Sequence, residues 1–156
     1  MNSLVNIAGD ICKLVLPIRE EIFLGDNESS IAICTLSSID LLKEIARSDL
    51  MEKIAISGRL LSENKGIDVL IRYIIKNQNI HTLIVCGKEV IGHKTGHSLL
   101  SLHKYGIDGN NRIVNSYSPN PFLTISELDV EKFQKQITIV NLIGETRLER
   151  IACQLI

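Results

Sequence analysis

A chain of 156 residues with 17 basic and 18 acidic side chains, net charge −1, has no basic excess with which to hold nucleic acid. Its hydrophobic share of 45% is enough for one buried core, and the 4% aromatic content with no tryptophan suits aliphatic strands covered by helices. No apolar run approaches the ~18 to 20 residues that span a bilayer, and the first residues lack the basic and apolar blocks of a secretory leader. The four cysteines, at 12, 34, 86 and 153, have no paired spacing, so the expectation is reduced thiols in a cytoplasmic protein.

Taken in order, residues 1–30 form a lead-in within a single domain spanning residues 1–156. Leu14-Val15-Leu16 and Ile22-Phe23-Leu24 are candidate short strands interrupted by Pro17, or an apolar segment lying across the sheet. The polar cluster Gly25-Asp26-Asn27-Glu28-Ser29-Ser30 is a turn. Residues 31–36 read as a first buried strand, and Ser37-Ser38 can cap a helix whose Ile39, Leu42, Ile45 and Ala46 share a face. Ile54-Ala55-Ile56 reads as a second strand ending in Ser57-Gly58-Arg59. An amphipathic helix follows, with Ile67, Leu70, Ile71, Ile74 and Ile75 on one stripe.

Residues 81–85 read as a third strand, and Leu99, Leu100, Leu102 and His103 as part of a helix ending at Gly106. Residues 112–122, with two prolines, are expected to be an extended loop over the sheet edge. Residues 128–136 look helical, 137–143 form a fourth strand and 147–156 a final helix. Alternation of strands and helices implies an α/β fold with a mainly parallel sheet and right-handed crossovers.

Thr35-Leu36-Ser37, Ser57-Gly58-Arg59 and Gly87-Lys88-Glu89 each follow a strand and precede a helix, so they converge on one rim, where open α/β sheets bind ligands. Glycines there admit close approach, although each is equally consistent with a tight turn. Between the third strand and its helix lies the densest stretch of chemistry, residues 86–96, with Glu89, Gly92, His93, Thr95 and Gly96. His93 suits a metal ligand, a general acid or base, a capping residue or a surface side chain. His97, four residues on, could share a helix face with it as in zinc sites, with Cys86 and Glu89 as contributors, but the usual third ligand is missing. There is no Gly-x-Gly-x-x-Gly, Walker lysine or Gly-x-Ser-x-Gly elbow. The Asp-x-His-x-x-Gly signature of cobalamin-dependent mutases and methionine synthase is only half kept, with Ile91 in place of the aspartate.

Four blocks together resemble the family of the corrinoid-carrying A subunit of tetrahydromethanopterin S-methyltransferase. They are residues 25–36, Ser62-Glu63-Asn64-Lys65-Gly66-Ile67-Asp68, residues 86–96 and Pro121-Phe122-Leu123, with added similarity in residues 102–108 and at Arg112-Ile113. The resemblance implies a Rossmann-like three-layer domain that binds cobalamin, in this family of the 5-hydroxybenzimidazolylcobamide type. It implies that His93 meets the cobalt and that Gly92, Thr95 and Gly96 complete its motif. Glu63, Asn64, Pro121 and Phe122 match positions near the corrin or its tail. The implied reaction passes a methyl group from methyl-tetrahydromethanopterin through cobalt to coenzyme M, within a multi-subunit complex coupled to sodium transport. Members tethered to the membrane continue to a C-terminal hydrophobic helix that this sequence lacks, and His97 stands where a glutamine or similar residue is expected. The alternative is a soluble paralog that carries or stores a corrinoid without catalysis.

Overall fold

The computed structural model describes residues 21–155, so the readings of residues 14–17 and Cys12 lie outside the described residues. Five strands form one sheet: β1 (Ile22–Leu24), β2 (Ile31–Cys34), β3 (Ile56–Gly58), β4 (Thr82–Gly87) and β5 (Thr138–Ile143). Their spatial order is β1-β3-β2-β4-β5. Every pair is parallel except β1 with β3, where the short N-terminal strand runs antiparallel along the edge. The helices are α1 (Ile39–Ala46), α2 (Lys65–Lys76), α3 (Thr95–Tyr105), α4 (Glu127–Gln136) and α5 (Leu148–Ala152), with short 3-10 turns at Asp49–Glu52 and Cys153–Leu155.

The two-residue period of the central strands sorts their side chains into two cores. Ala32, Cys34, Leu83 and Val85 face a layer built from Ile67, Ile71 and Ile74 of α2, Leu99 and Leu102 of α3, and Val130 and Phe133 of α4. Ile33, Ile84 and Cys86 face the opposite layer, with Leu41 and Ile45 of α1 and Ile151 of α5. The sheet is therefore the middle of three layers, the α/β Rossmann-like arrangement expected. No helix among the described residues is long and apolar enough to cross a membrane.

Several boundaries differ from the sequence reading, each for a physical reason. The first strand ends at Cys34, because Leu36 adopts a left-handed φ of 51°. The second begins at Ile56, which moves Ser57 and Gly58 from a connecting loop into the strand itself, paired with β1 and β2. Cys86 and Gly87 lie inside β4, and Thr95 and Gly96 form the first turn of α3. The last helix is only five residues of α-helix before its 3-10 turn.

The connection after α3 crosses the ends of α2 and α3 as a strap, residues 106–125. Asp68 of α2 pins its far end. The buried Asp68 carboxylate accepts from the Thr124 and Ile125 amides (3.1 and 3.3 Å) and from the Thr124 hydroxyl (2.8 Å). Because β2 is followed by a helix on one face and β4 by a helix on the other, the crevice between their ends is a topological switch point. Here it is stapled shut. The Ser37 amide and hydroxyl donate to the Lys88 carbonyl (3.1 and 2.8 Å), and the Lys88 amide donates to the Ser38 hydroxyl (2.8 Å). Gly87, at φ 78°, has no room for a side chain, since a Cβ there meets the Thr35 carbonyl oxygen at 2.2 Å.

These contacts make the staple and the strap testable through stability. Gly87→Ala adds a clash to a left-handed backbone and is expected to cost more than about 2 kcal/mol, read as a lowered urea midpoint; a wild-type midpoint contradicts the staple. Asp68→Ala strands three donors and is expected to cost about 2 to 4 kcal/mol, with faster hydrogen exchange at the Thr124 and Ile125 amides than in wild type.

Candidate functional site

The site is built on the loop from β4 to α3. Glu89 organises it. Its carboxylate accepts from the Val90 and Gly96 amides through Oε1 (2.8 and 2.9 Å) and from the His97 amide through Oε2 (2.9 Å). The residue at the start of α3, Lys94, is left-handed and offers no side-chain cap, so Glu89 satisfies the helix's first amides from five residues upstream of that cap position. Gly96 is crowded by side-chain ends: a Cβ there falls 2.9 Å from Glu89 Oε2, Ile143 Cδ1 and Leu36 Cδ1, so at least one of them would have to shift. Gly92 (φ 80°) and Lys94 (φ 47°) reverse the chain on either side of His93, whose amide donates to the Val90 carbonyl (3.2 Å).

His93 meets a buried carboxylate. Glu63 lies just before α2, where Ser62 accepts from the Gly66 amide and Asn64 from the Lys65 amide, both at 2.7 Å, so its backbone is fixed by the caps of that helix. Its side chain is 2% exposed; Oε2 lies 2.8 Å from His93 Nδ1, and Oε1 accepts from the Asn120 amide at 3.0 Å. A carboxylate accepts only, so Nδ1 bears a proton, and in the neutral imidazole Nε2 is then the nitrogen with the lone pair. The His93 side chain is 53% exposed, and its Nε2 has no hydrogen-bond partner among the described residues. The result is an outward-facing basic nitrogen backed by a buried acceptor.

The other predicted residues divide into two groups. Glu63, Asn64, Glu89, Gly92, His93, Thr95, Gly96, Pro121 and Phe122 gather around this loop or hold the elements that do; Asn64 Nδ2, for instance, donates to the Asn120 carbonyl (3.2 Å). Pro121 is buried and accepts from the Ile113 amide (2.8 Å), whereas Phe122 is exposed. Thr35, Leu36, Ser57 and Gly87 are buried within the stapled strand ends, and Gly58 packs against Ile22 of the edge strand. Ser37 and Lys88 bond to each other. This second group spends its polar or backbone groups on the rim's own construction.

The metal alternative of His93 with His97, Cys86 and Glu89 is not assembled. The His97 ring stacks on Tyr117 at 4.8 Å between centroids, with Nε2 3.2 Å from the Asn115 carbonyl oxygen. Cys86 is buried against the opposite layer, where burial first, then Cys34 and Glu145, pushes its thiol pKa well above the ordinary range. Glu89 is engaged with the loop amides. Among the described residues no group of three or more metal-binding side chains occurs.

The sequence reading missed Ser98, Ser116, Ser118 and Asn120. The Ser98 hydroxyl meets those of Ser116 (2.6 Å) and Ser118 (2.5 Å), and Ser118 also donates to the His93 carbonyl. A legible signal existed: Ser98 lies beside Leu99 and Leu102 on the buried stripe of α3, and a buried hydroxyl demands a partner. On the loop Ile91 is 97% exposed, and on the strap Tyr117 and Phe122 are 75% and 45% exposed.

Comparison with known proteins gives the chain its relatives. The sequence profile of the family described as the A subunit of tetrahydromethanopterin S-methyltransferase matches residues 15–155. The chain is 40% identical over 136 residues to the A subunit of the putative methyltransferase Mtx of Methanosarcina barkeri, covering 86% of this chain and 64% of that protein. Methanothermobacter thermautotrophicus has two A subunits of tetrahydromethanopterin S-methyltransferase, numbered 1 and 2. To the first the chain is 39% identical over 128 residues, covering 81% of this chain and 52% of that protein. To the second it is 33% identical over 134 residues, covering 85% and 70%. The chain thus spans about half to seven tenths of the length of these curated relatives. With a profile match over nearly its whole length, this chain belongs to the A-subunit family of tetrahydromethanopterin S-methyltransferase.

Proposed function

We propose that the His93 loop holds a corrinoid, cobalamin or its 5-hydroxybenzimidazolyl relative, and that the chain carries methyl groups within a methyltransferase. The observation that supports this most directly is the His93–Glu63 pair. One imidazole, with no cluster of further metal-binding side chains among the described residues, suits a cobalt that would bring its other ligands in its own macrocycle. Exposed Ile91 on the loop, with Tyr117 and Phe122 on the strap that holds it, suits a large, flat and partly apolar group. When bound, the corrinoid supplies a cobalt that accepts a methyl group from one substrate and yields it to another.

The chain's own residues then have definite tasks. His93 would hold the cobalt through Nε2. Glu63 keeps the Nδ1 proton in place and so fixes the tautomer that can ligate. Glu89 holds the loop amides, which keeps the backbone of His93 in register with α3. In this reading methyl-tetrahydromethanopterin is the donor and the thiolate of coenzyme M the acceptor, each presented by other subunits of the complex on the cytoplasmic side. The His93 loop, anchored by Glu89, would then be the part of this chain whose movement couples to sodium transport. The similar identity to a relative named as part of a putative methyltransferase Mtx supports a second reading, in which the carrier role is kept and the methyl donor differs.

The test is a visible absorption titration of the purified protein with cobalamin. Wild type is expected to bind one equivalent and to give a cobalt(III) spectrum that changes when His93→Ala removes the imidazole. Glu63→Gln is expected to weaken axial ligation roughly 10- to 100-fold, the usual cost of losing a carboxylate behind a metal-bound histidine. Binding with a spectrum indifferent to His93→Ala contradicts the axial assignment; no binding at all contradicts the corrinoid reading. Transfer to coenzyme M by the loaded protein with its partner subunits separates a methyl carrier from a storage protein.

A further inference from the structure

The strap contributes a second control over His93 that does not touch its imidazole. The Ser118 hydroxyl donates to the His93 carbonyl and lies 3.2 Å from the Lys94 carbonyl oxygen; the left-handed Lys94 turns both carbonyls toward it. A hydroxyl has one proton to donate. With that proton given to His93, the Ser98–Ser118 bond must be donated by Ser98, and the Ser98–Ser116 bond by Ser116. Ser116 in turn accepts from the Ser118 amide at 3.2 Å. The three buried hydroxyls therefore form a chain with one direction, Ser116 to Ser98 to Ser118 to the His93 carbonyl, each bond strengthening the next.

Two residues beyond Ser118, the Asn120 amide donates to Glu63, the same carboxylate that receives His93 Nδ1. Pro119 lies between them, and its ring fixes its φ. The tripeptide Ser118-Pro119-Asn120 thus grips His93 at its backbone and, through Glu63, at its ring. We propose that Ser118 is a positioning residue for His93: it sets the distance between the histidine backbone and Glu63, and through it the tautomer that exposes the Nε2 lone pair. This rests on His93 being the axial ligand, but it concerns a property of the chain that exists without the corrinoid.

The test reads the tautomer directly, by 15N NMR of histidine-labelled protein free of cofactor, at one pH where the imidazole is neutral. Wild type is expected to show His93 mainly protonated on Nδ1. Ser118→Ala is expected to lower the Nδ1–H to Nε2–H ratio roughly fivefold, the effect of one net hydrogen bond, while Ser118→Thr, which restores a hydroxyl, keeps the wild-type ratio. If Ser118→Ala does not fold, Ser118→Cys, close in size and a poor donor, carries the test with the same expected change. A folded Ser118→Ala or Ser118→Cys protein with the wild-type ratio overturns the proposal and leaves Ser118 as strap packing. Cobalamin uptake by wild type is measured beside it. An unchanged ratio with normal uptake removes only the Ser118 role, whereas a shifted ratio with no uptake removes the corrinoid reading and leaves Ser118 positioning a histidine.

Discussion

A buried carboxylate shared between a histidine ring and a backbone amide is the constraint on which the rest of the site depends. Glu63 is withdrawn from water, so its two oxygens need fixed donors, and His93 Nδ1 and the Asn120 amide are those donors. Satisfying Glu63 brings together three parts of the chain that are distant in sequence: the lead into α2, the loop into α3, and the strap. It also decides the chemistry of His93, since the ring nitrogen that Glu63 does not hold is the one left toward solvent. The same demand explains why the strap is so firmly tied. Its amides donate to the carboxylates of Glu63 and Asp68, and its serines complete a hydroxyl chain with α3.

The sheet supplies the fixed frame for this arrangement and takes no direct part in it. In an open α/β sheet the crevice between oppositely directed crossovers commonly receives the ligand. Here Ser37, Ser38 and Lys88 close that crevice with their own hydrogen bonds, and Gly87 allows the backbones to meet. Closure makes the rim rigid, and the projecting element is instead the loop that Glu89 anchors one step further along the chain.

Much of this was legible in the sequence. Continuous apolar runs in residues 31–34 and 82–87 and the stripe of isoleucines in α2 specify the three layers, because strands without a polar face must be covered on both sides. His93 and its glycines were legible as a concentration of special residues between a strand and a helix. Glu63 was reached through family resemblance, since a single glutamate 30 positions away carries no sign of its partner. The strand-end serines and glycines carried two readings, because the residue types that cradle a ligand are also those that let strand ends bond to each other. The strap was illegible for another reason: an irregular segment has no period, and Ser118 and Asn120 act on backbone groups, or through them, whose partners only the fold defines. Ser98 was the available clue, a hydroxyl on an apolar stripe.

The central claim is that the nitrogen Glu63 leaves free is the one that meets cobalt. The most direct measurement is 15N NMR of the protein with labelled histidine, loaded with a cobalt(III) corrinoid, with the four histidines followed as pH is varied. The account predicts that the His93 Nε2 resonance alone shifts on loading, while those of His81, His97 and His103 stay as in the unloaded protein. A loaded protein in which the His93 Nε2 resonance is unmoved contradicts it.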